Sequence, residues 1–276
     1  GKPVPYRSPH DALMGIVIQA VVEKMYNEEW YKDPSLPLSE RLLVAVEREW
    51  LRQESKPRNR IDYDEARRSR EELLQVCRDG VFGYLATMKA HKFLGPFNKA
   101  EVDLTAWIDE ETFIGGRPDV IIRREDTGTT ILDGKNSKQK SKYLDPDQLR
   151  WYALLFKLRY RELPDRLAFV MYRFPHGMPG VDDKGDPIVE TGVEWVPYTE
   201  DDLRGLAQRA LDAKKAMSEE KFDPTPTPAV CKFCDFEKTC QARIDQRMAN
   251  AAKRGPRESV TIDEISDGDG FVDLTM

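Results

Sequence analysis

The sequence predicts an α/β protein in which helices flank a mixed β-sheet, with a helical region before the sheet and a cysteine-rich segment after it. Three observations support this fold class. Apolar residues recur at helical spacing up to about residue 95, and the period changes to two from about residue 98. Three cysteines then lie close together near the end of the chain. Strands separated by a helix are typical of α/β architecture.

The region before the sheet is predicted to be helical throughout. The stretches MGIVIQAVVEKMYNEEWY and LSERLLVAVEREWLRQE have helical spacing, and Ser39 is the expected N-cap of the second. DYDEARRSREELLQVCRDG is the third predicted helix, and Gly80 is expected to close it. VFGYLATMKAHKF is expected to continue the bundle.

Strands are predicted over AEVDLTAWID, ETFIGGRPDVIIRRED and TGTTILDGK, and again over DRLAFVMYRF and ETGVEWVPY. A helix, YLDPDQLRWYALLFKLRYREL, separates these two groups. Asp145 is its expected N-cap, and Pro146 suits its first helical position. TEDDLRGLAQRALDAKKAMSE predicts an amphipathic helix, and the proline-rich FDPTPTPA predicts a connector.

The net charge of −6 is concentrated at the end of the chain. The 22 residues from Gly255 contain six acids and one base, a balance of −5, which leaves about −1 for the rest. A near-neutral body can carry a basic groove, so charge neither supports nor excludes nucleic-acid binding. Because no apolar run reaches ~18–20 residues and the N-terminus lacks an apolar signal region, we expect a cytoplasmic protein that does not bind membranes.

Charged residues interrupt the end of an apolar strand. In TTILDGK, Asp133 and Lys135 are two residues apart and therefore point to the same face of the strand. The preceding strand offers Asp119, and if the two strands pair, Asp119 and Asp133 can converge at one end of the sheet. Two carboxylates with a backbone carbonyl make a hard oxygen site that suits Mg²⁺ or Mn²⁺. A lysine beside such a site can orient or deprotonate water, or stabilise charge on a phosphate. The alternative is a surface ion pair at the end of a hairpin.

Gln148 and Tyr152 lie four residues apart on one face of the following helix. A glutamine there can reach the attacking water or the scissile phosphate. The order GRPDVII, ILDGK, QLRWYALL resembles that of the PD-(D/E)XK nucleases of the RecB-like type, over roughly residues 95–175. The closest resemblance is to CRISPR-associated and phage RecB-like exonucleases that contain an iron–sulfur cluster.

The resemblance implies a PD-(D/E)XK nuclease core and a divalent-metal-dependent DNA exonuclease. Asp119 and Asp133 are then the metal ligands, Lys135 is catalytic, and Gln148 and Tyr152 form the helix motif of the active site. The expected substrate is DNA that is single-stranded or has free ends, in recombination, repair or CRISPR adaptation.

One helix departs from the family pattern, which often reads Gly-x-x-x-His-x-x-x-Glu with histidine as a metal ligand. Here Gly15, Gln19 and Glu23 occupy these positions, so Gln19 is a candidate ligand of poorer quality. Glu101 is a candidate for an additional family acid at the metal. The departure at Gln19 keeps an alternative open, namely a weakly active or inactive DNA-binding or scaffolding subunit that retains the fold and the cluster.

Cys231, Cys234 and Cys240 have the spacing C-x2-C-x5-C, which suits thiolates that hold a metal or a cluster. A 4Fe–4S cluster needs a fourth thiolate, and Cys77 is the remaining cysteine. The resemblance implies a 4Fe–4S cluster held by the triplet and one upstream cysteine. The alternatives are Zn²⁺ in place of the cluster, and a fourth ligand other than Cys77.

The expected organisation has four segments. Residues 1–95 form a helical region packed on the core, 96–221 the nuclease core, 222–250 the cluster segment, and 251–276 an acidic, disordered tail. The tail is also a candidate site for a protein partner.

Overall fold

The computed structural model describes residues 10–59, 61–94, 97–138, 144–173, 180–181, 187–188, 192–221, 224–227, 231, 234, 236 and 238–254. The chain divides into two compact units, Gly1–Lys214 and Lys215–Met276. Because the acidic residues from Gly255 onwards lie outside the described residues, the prediction for the tail stays a prediction, as does the division into four segments.

Helices and strands alternate in the first unit as the sequence predicts for an α/β protein. The helices of the described residues are α1 (His10–Asn27), α2 (Leu38–Glu54), α3 (Tyr63–Ala66), α4 (Arg70–Ala90), α5 (Pro146–Tyr160), α6 (Glu200–Ser218) and α7 (Gln241–Arg254). Short 3₁₀ turns cover Trp30–Lys32 and Pro57–Asn59. The strands are β1 (Phe97–Ala100), β2 (Leu104–Trp107), β3 (Phe113–Gly116), β4 (Val120–Arg124), β5 (Gly128–Lys135), β6 (Arg166–Met171), β7 (Gly180–Val181), β8 (Pro187–Ile188) and β9 (Val193–Trp195).

A mixed sheet of five strands, in the order β1-β4-β5-β6-β9, forms the centre of the first unit. The pairs are antiparallel except β5–β6, whose connection contains α5. One face of the sheet packs on α1, α2 and α4, and the other packs on α5 and α6. The predicted fold class, a mixed sheet flanked by helices, is confirmed.

Two predicted strands differ from those of the structure. AEVDLTAWID contains β2 but begins at Ala100, the last residue of β1, and Glu101 after that strand has a left-handed backbone (φ 54°). ETFIGGRPDVIIRRED forms β3 and β4, and Pro118 between them has no N–H to donate to a ladder. Strands β2 and β3 pair with each other as a separate hairpin that packs on α5.

Helix boundaries differ from the sequence prediction at two places. Helix α4 runs through Gly80 to Ala90 and does not end at the glycine. Gly80 is buried where α1 approaches so closely that a Cβ atom would meet Ile18, so close packing accounts for the glycine. The residue before α2 is Pro37, which makes no side-chain cap, so Ser39 is not the N-cap. Asp145 and Pro146 begin α5 as predicted, and the Asp145 carboxylate accepts a hydrogen bond from the Asp147 N–H at 3.0 Å.

Among the helices of the described residues, none combines the length and apolar character needed to cross a membrane.

Two glycines predict opposite effects of substitution by alanine. Gly128 has φ +69°, and a Cβ atom there would overlap the Asp165 carboxylate, which accepts a hydrogen bond from the Thr129 N–H at 2.6 Å. Gly205 is exposed in α6 with open space around it. Gly128→Ala is therefore expected to lower the free energy of unfolding by about 1–3 kcal/mol. Gly205→Ala is expected to raise it by about 0.5–1 kcal/mol.

Urea denaturation of the two variants beside the wild-type chain measures both changes. Equal shifts of the two midpoints in the same direction would contradict the assigned environments of these glycines.

Candidate active site

Antiparallel pairing of β4 and β5 brings Asp119 and Asp133 together at one edge of the sheet. Val120 lies opposite Leu132, so the residue before β4 and the residue after Leu132 reach the same edge. The Asp119 carboxylate accepts a hydrogen bond from the Gly134 N–H at 2.6 Å. The sequence prediction that these two acids converge is confirmed.

Lys135 and Gln148 form a closed ring of polar contacts with Asp133. The Lys135 ammonium lies 2.5 Å from one Asp133 oxygen and donates to the Gln148 carbonyl at 2.8 Å. The Gln148 amide nitrogen donates to the other Asp133 oxygen at 2.7 Å. The helix after the strands therefore presents its glutamine to the same carboxylate that the lysine contacts.

Tyr152 lies one helical turn beyond Gln148 and supports it. Its hydroxyl accepts from the Gln148 amide nitrogen at 3.3 Å. On its other side the ring lies against Gly116, where a Cβ atom would approach the Tyr152 ring to 3.1 Å. The hairpin strand β3 therefore holds the tyrosine in place.

Burial at the sheet edge disfavours the charged forms of both acids. Burial and the nearby charge of Asp133 raise the pKa of Asp119 to about 7, although the Gly134 N–H acts in the opposite direction. Burial raises the pKa of Asp133 as well, and the Lys135 ammonium opposes that shift. Two carboxylates that resist ionisation together form a natural site for a cation.

Gln19 and Glu101, the further ligand candidates, contact each other at the same edge. The Gln19 amide nitrogen donates to a Glu101 carboxylate oxygen at 3.0 Å, and its carbonyl oxygen accepts from the Tyr172 hydroxyl. Both polar atoms of Gln19 thus have partners within the protein. Its role as a metal ligand stays a prediction.

Tyr172 contributes to this site and was not predicted from the sequence. Its N–H donates to the Lys135 carbonyl at 2.9 Å, and its hydroxyl lies where any Cβ atom on Gly134 would have to be. Position 134, between the two charged residues, therefore has to be glycine to leave room for the Tyr172 hydroxyl. Parallel pairing places Met171 opposite Lys135, which brings Tyr172 to this edge, and only that register reveals it.

These groups open into a cleft of about 760 Å³ whose lining includes Gln19, Glu101, Asp119, Asp133 and Lys135. Within the described parts of the chain, no three His, Cys, Asp or Glu side chains come together as a metal site. The donors available to a cation are thus two carboxylates and neighbouring neutral oxygens. That set suits Mg²⁺ or Mn²⁺, because Mg²⁺ is usually bound through one or two carboxylates with water and substrate phosphate. The fit is supported by the buried Asp133 carboxylate, one of whose oxygens has only the Lys135 ammonium, at 2.5 Å, as its partner among the described residues.

A family model for the PD-(D/E)XK nuclease superfamily matches residues 4–241, which is most of the chain. The chain belongs to this superfamily. The superfamily consists of nucleases that use divalent metals such as Mg²⁺ or Mn²⁺, and it implies DNA as the substrate. The mixed sheet and the paired strand ends of this chain agree with that membership.

One solved structure similar to this PD-(D/E)XK nuclease is titled "Crystal structure of SSO0001". The two chains share 14% sequence identity, the match covers 83% of this chain and 96% of that chain, and the TM-score is 0.35. No curated protein shows significant similarity to the chain.

The four cysteines are free thiols. In the first unit Cys77 is fully buried in α4, 3.9 Å from the Met14 carbonyl oxygen, and burial raises its thiol pKa to about 12. In the second unit Cys231 is buried, Cys240 is partly buried and Cys234 is exposed. The donor chemistry of the triplet fits a metal or cluster, but the described side chains are not gathered into one.

The raised pKa of Asp119 predicts a stability penalty above about pH 4. From there to about pH 7 the folded state holds a proton that the unfolded state has lost, so the stability falls by up to about 1.4 kcal/mol per pH unit. Asp119→Asn removes this penalty and keeps an acceptor for the Gly134 N–H. At pH 8 in EDTA the variant is expected to be about 1–3 kcal/mol more stable than the wild-type chain, with no difference at pH 4.

Denaturant titrations at the two pH values measure this difference, and Asp64→Asn, at an exposed position, serves as the control. The assigned electrostatics would be wrong if Asp119→Asn and Asp64→Asn had the same effect at pH 8.

Proposed function

We propose that the chain is a divalent-metal-dependent DNA exonuclease that acts on single-stranded or end-containing DNA in recombination, repair or CRISPR adaptation. The observation that carries the proposal is the arrangement of Asp119 and Asp133 at one strand edge, with Lys135 and Gln148 bonded to Asp133. Asp119 and Asp133 hold the metal in this proposal, and Lys135, Gln148 and Tyr152 complete the catalytic set.

The metal, when bound, supplies a positive charge that polarises the phosphodiester and the attacking water. The chain's own groups do the rest. Lys135 donates to the reacting phosphate or takes the proton of the water, and its approach is fixed by Gln148 at 2.8 Å. The Gln148 amide nitrogen donates to Asp133, and its carbonyl oxygen accepts from Lys135. The Tyr152 hydroxyl accepts from the same amide nitrogen and so restrains it. The Gly134 N–H orients the Asp119 carboxylate.

The size of the cleft supports a preference for single strands or ends. A space of about 760 Å³ is in the range of small-ligand pockets, about 300–1,000 Å³. Such a space can hold a short stretch of linked nucleotides. A strand end or a melted strand can therefore reach Asp133, which is almost completely buried.

A 4Fe–4S cluster held by Cys231, Cys234, Cys240 and Cys77 is the second part of the proposal, with Zn²⁺ as the alternative. Three thiols within ten residues, all unpaired, support a metal or cluster in this segment. Free thiols also fit the cytoplasmic location that we propose. A protein partner for the acidic tail remains part of the same proposal.

Gln19 favours a second candidate function. A glutamine stands where the resembling nucleases often have a histidine ligand, and its amide is fully engaged by Glu101 and Tyr172. A weaker metal site would leave a DNA-binding or scaffolding subunit with little cleavage activity.

Lys135→Ala is expected to reduce DNA cleavage by about 10²-fold or more, because it removes the one ammonium that contacts Asp133 among the described residues. The measurement uses anaerobically purified full chain, Mg²⁺ or Mn²⁺, and end-labelled single- and double-stranded DNA. The position of the label gives the direction of digestion.

Lys157→Ala is the matched control, since Lys157 lies on α5 but pairs with Glu200 at 2.6 Å. It is expected to retain full activity, and EDTA is expected to abolish cleavage in every sample. If wild-type chain and Lys135→Ala bind DNA but are equally inert with metal, the scaffolding function replaces the nuclease, and Gln19→His is the variant to test next.

Cys234→Ser is expected to remove most of the iron and inorganic sulfide from anaerobically purified protein, together with absorbance from thiolate-to-iron charge transfer. Cys77→Ala is expected to do the same as the fourth ligand. Metal analysis of both variants and the wild-type chain checks these results. Full iron in Cys77→Ala would exclude Cys77 as a ligand, and zinc without iron in the wild-type chain would exclude the cluster.

A further inference from the structure

A buried carboxylate on α2, outside the catalytic set, contacts two side chains that line the cleft. Glu49 in α2 is 1% exposed, and Gln53, one turn later, is 3% exposed. The Gln53 amide nitrogen donates to Glu49 at 2.7 Å, and the Asn59 amide nitrogen donates to Gln53 at 2.9 Å. Burial acts to raise the pKa of Glu49, but hydrogen bonds from Arg52 and Gln53 outweigh it and hold the pKa below the usual range. Glu49 is therefore a charged group held inside the protein.

Glu49 fixes the guanidinium of Arg52. The Arg52 Nε donates to one Glu49 oxygen at 2.8 Å, and its Nη2 lies 2.5 Å from the other. The side chain is nevertheless 53% exposed, and Nη1 makes no hydrogen bond with any residue that the structure describes. Burying a carboxylate costs free energy, and the end of a helix can form without it. We therefore interpret the Glu49–Arg52 pair as a means of orienting the arginine.

Arg52 and Gln53 line the same cleft as Asp119, Asp133 and Lys135. A planar guanidinium with free donors is the side chain best suited to a phosphate group. Arg48, one turn earlier on α2, lines a different pocket and not the cleft. Arg117 also lines the cleft but pairs with Asp103 at 2.7 Å, so on α2 the cation that faces the cleft is Arg52.

We propose that Arg52 binds a backbone phosphate of the DNA strand at the rim of the cleft, and that Glu49 is the positioning residue that presents it. The inference rests on the proposed function and adds a substrate contact to it. The phosphate it binds flanks the scissile one, because Arg52 does not contact the catalytic set among the described residues.

Other charged groups face Arg52 from the neighbouring elements. Glu23 of α1 lies close enough to act on Arg52, and burial and the nearby Glu101 raise the pKa of Glu23. Arg117, on the other side of the cleft, pairs with Asp103 at 2.7 Å. Lys24 adds a second cation at 3.3 Å from Glu49. Arg52 thus shares its partner Glu49 with Lys24, while the Arg117 guanidinium is held by Asp103.

The test measures binding of a fluorescent single-stranded oligonucleotide in a series of NaCl concentrations. Every protein is the full chain with Lys135→Ala, so that cleavage does not consume the probe. Arg52→Gln is expected to weaken binding by about tenfold and to reduce the slope of log affinity against log salt by about 0.7, which is the release from one phosphate contact. Arg52→Lys is expected to keep the slope and lose part of the affinity, because the charge remains and the fork is lost.

Arg48→Gln is the matched control, with the same change of charge on the same helix, and is expected to leave affinity and slope unchanged. Equal losses in Arg52→Gln and Arg48→Gln would overturn the proposal, as would an Arg52→Lys variant as defective as Arg52→Gln, or no binding by any variant. Cleavage by proteins with Lys135 intact is read separately. Arg52-dependent binding without metal-dependent cleavage would refute the proposed nuclease alone, and cleavage indifferent to Arg52 would refute this inference alone.

Discussion

Two like-charged side chains, Asp119 and Asp133, meet at one edge of the central sheet, and the surrounding structure depends on that constraint. The ladder between β4 and β5 enforces the meeting, since Val120 lies opposite Leu132. Burial alone would neutralise both acids. The Gly134 N–H, the Lys135 ammonium and the Gln148 amide each offset part of that cost, so the backbone, the next strand residue and the next helix all converge on one pair of carboxylates.

These contacts offset only part of the cost of burying the two carboxylates. Burial and Asp133 still raise the pKa of Asp119, which means that the folded chain stores unfavourable electrostatic energy at neutral pH. A divalent cation between the acids would release it, so metal binding and stability are linked here. The same reasoning separates Asp119 from Glu49, whose hydrogen bonds lower its pKa and leave nothing for a cation to relieve. In the proposals made above, Asp119 binds a metal, whereas Glu49 holds an arginine.

Local patterns in the sequence predicted the parts of the site that lie on single elements. Asp133 and Lys135 share a strand face, Gln148 and Tyr152 share a helix face, and Asp145 begins that helix. The contribution of Tyr172 depends on the parallel register of β5 and β6, and that of Arg52 on how α2 meets the cleft, so neither is visible in local spacing. Gly80 misled the prediction because its missing Cβ serves close packing against Ile18, whereas in sequence it looks like a helix end.

Gln19 links two other side chains at this edge. An amide carries both a donor and an acceptor, so Gln19 donates to Glu101 and accepts from the Tyr172 hydroxyl. Tyr172 in turn occupies the space above Gly134 and continues through ring contacts with Tyr84, at 5.4 Å, into the helical layer. Glu101 is therefore held by α1, and α1 also reaches Glu49 of α2 through Lys24 at 3.3 Å. Helices α1 and α2 therefore set the positions of Glu101 and Arg52, which line the same cleft as the paired carboxylates of the sheet.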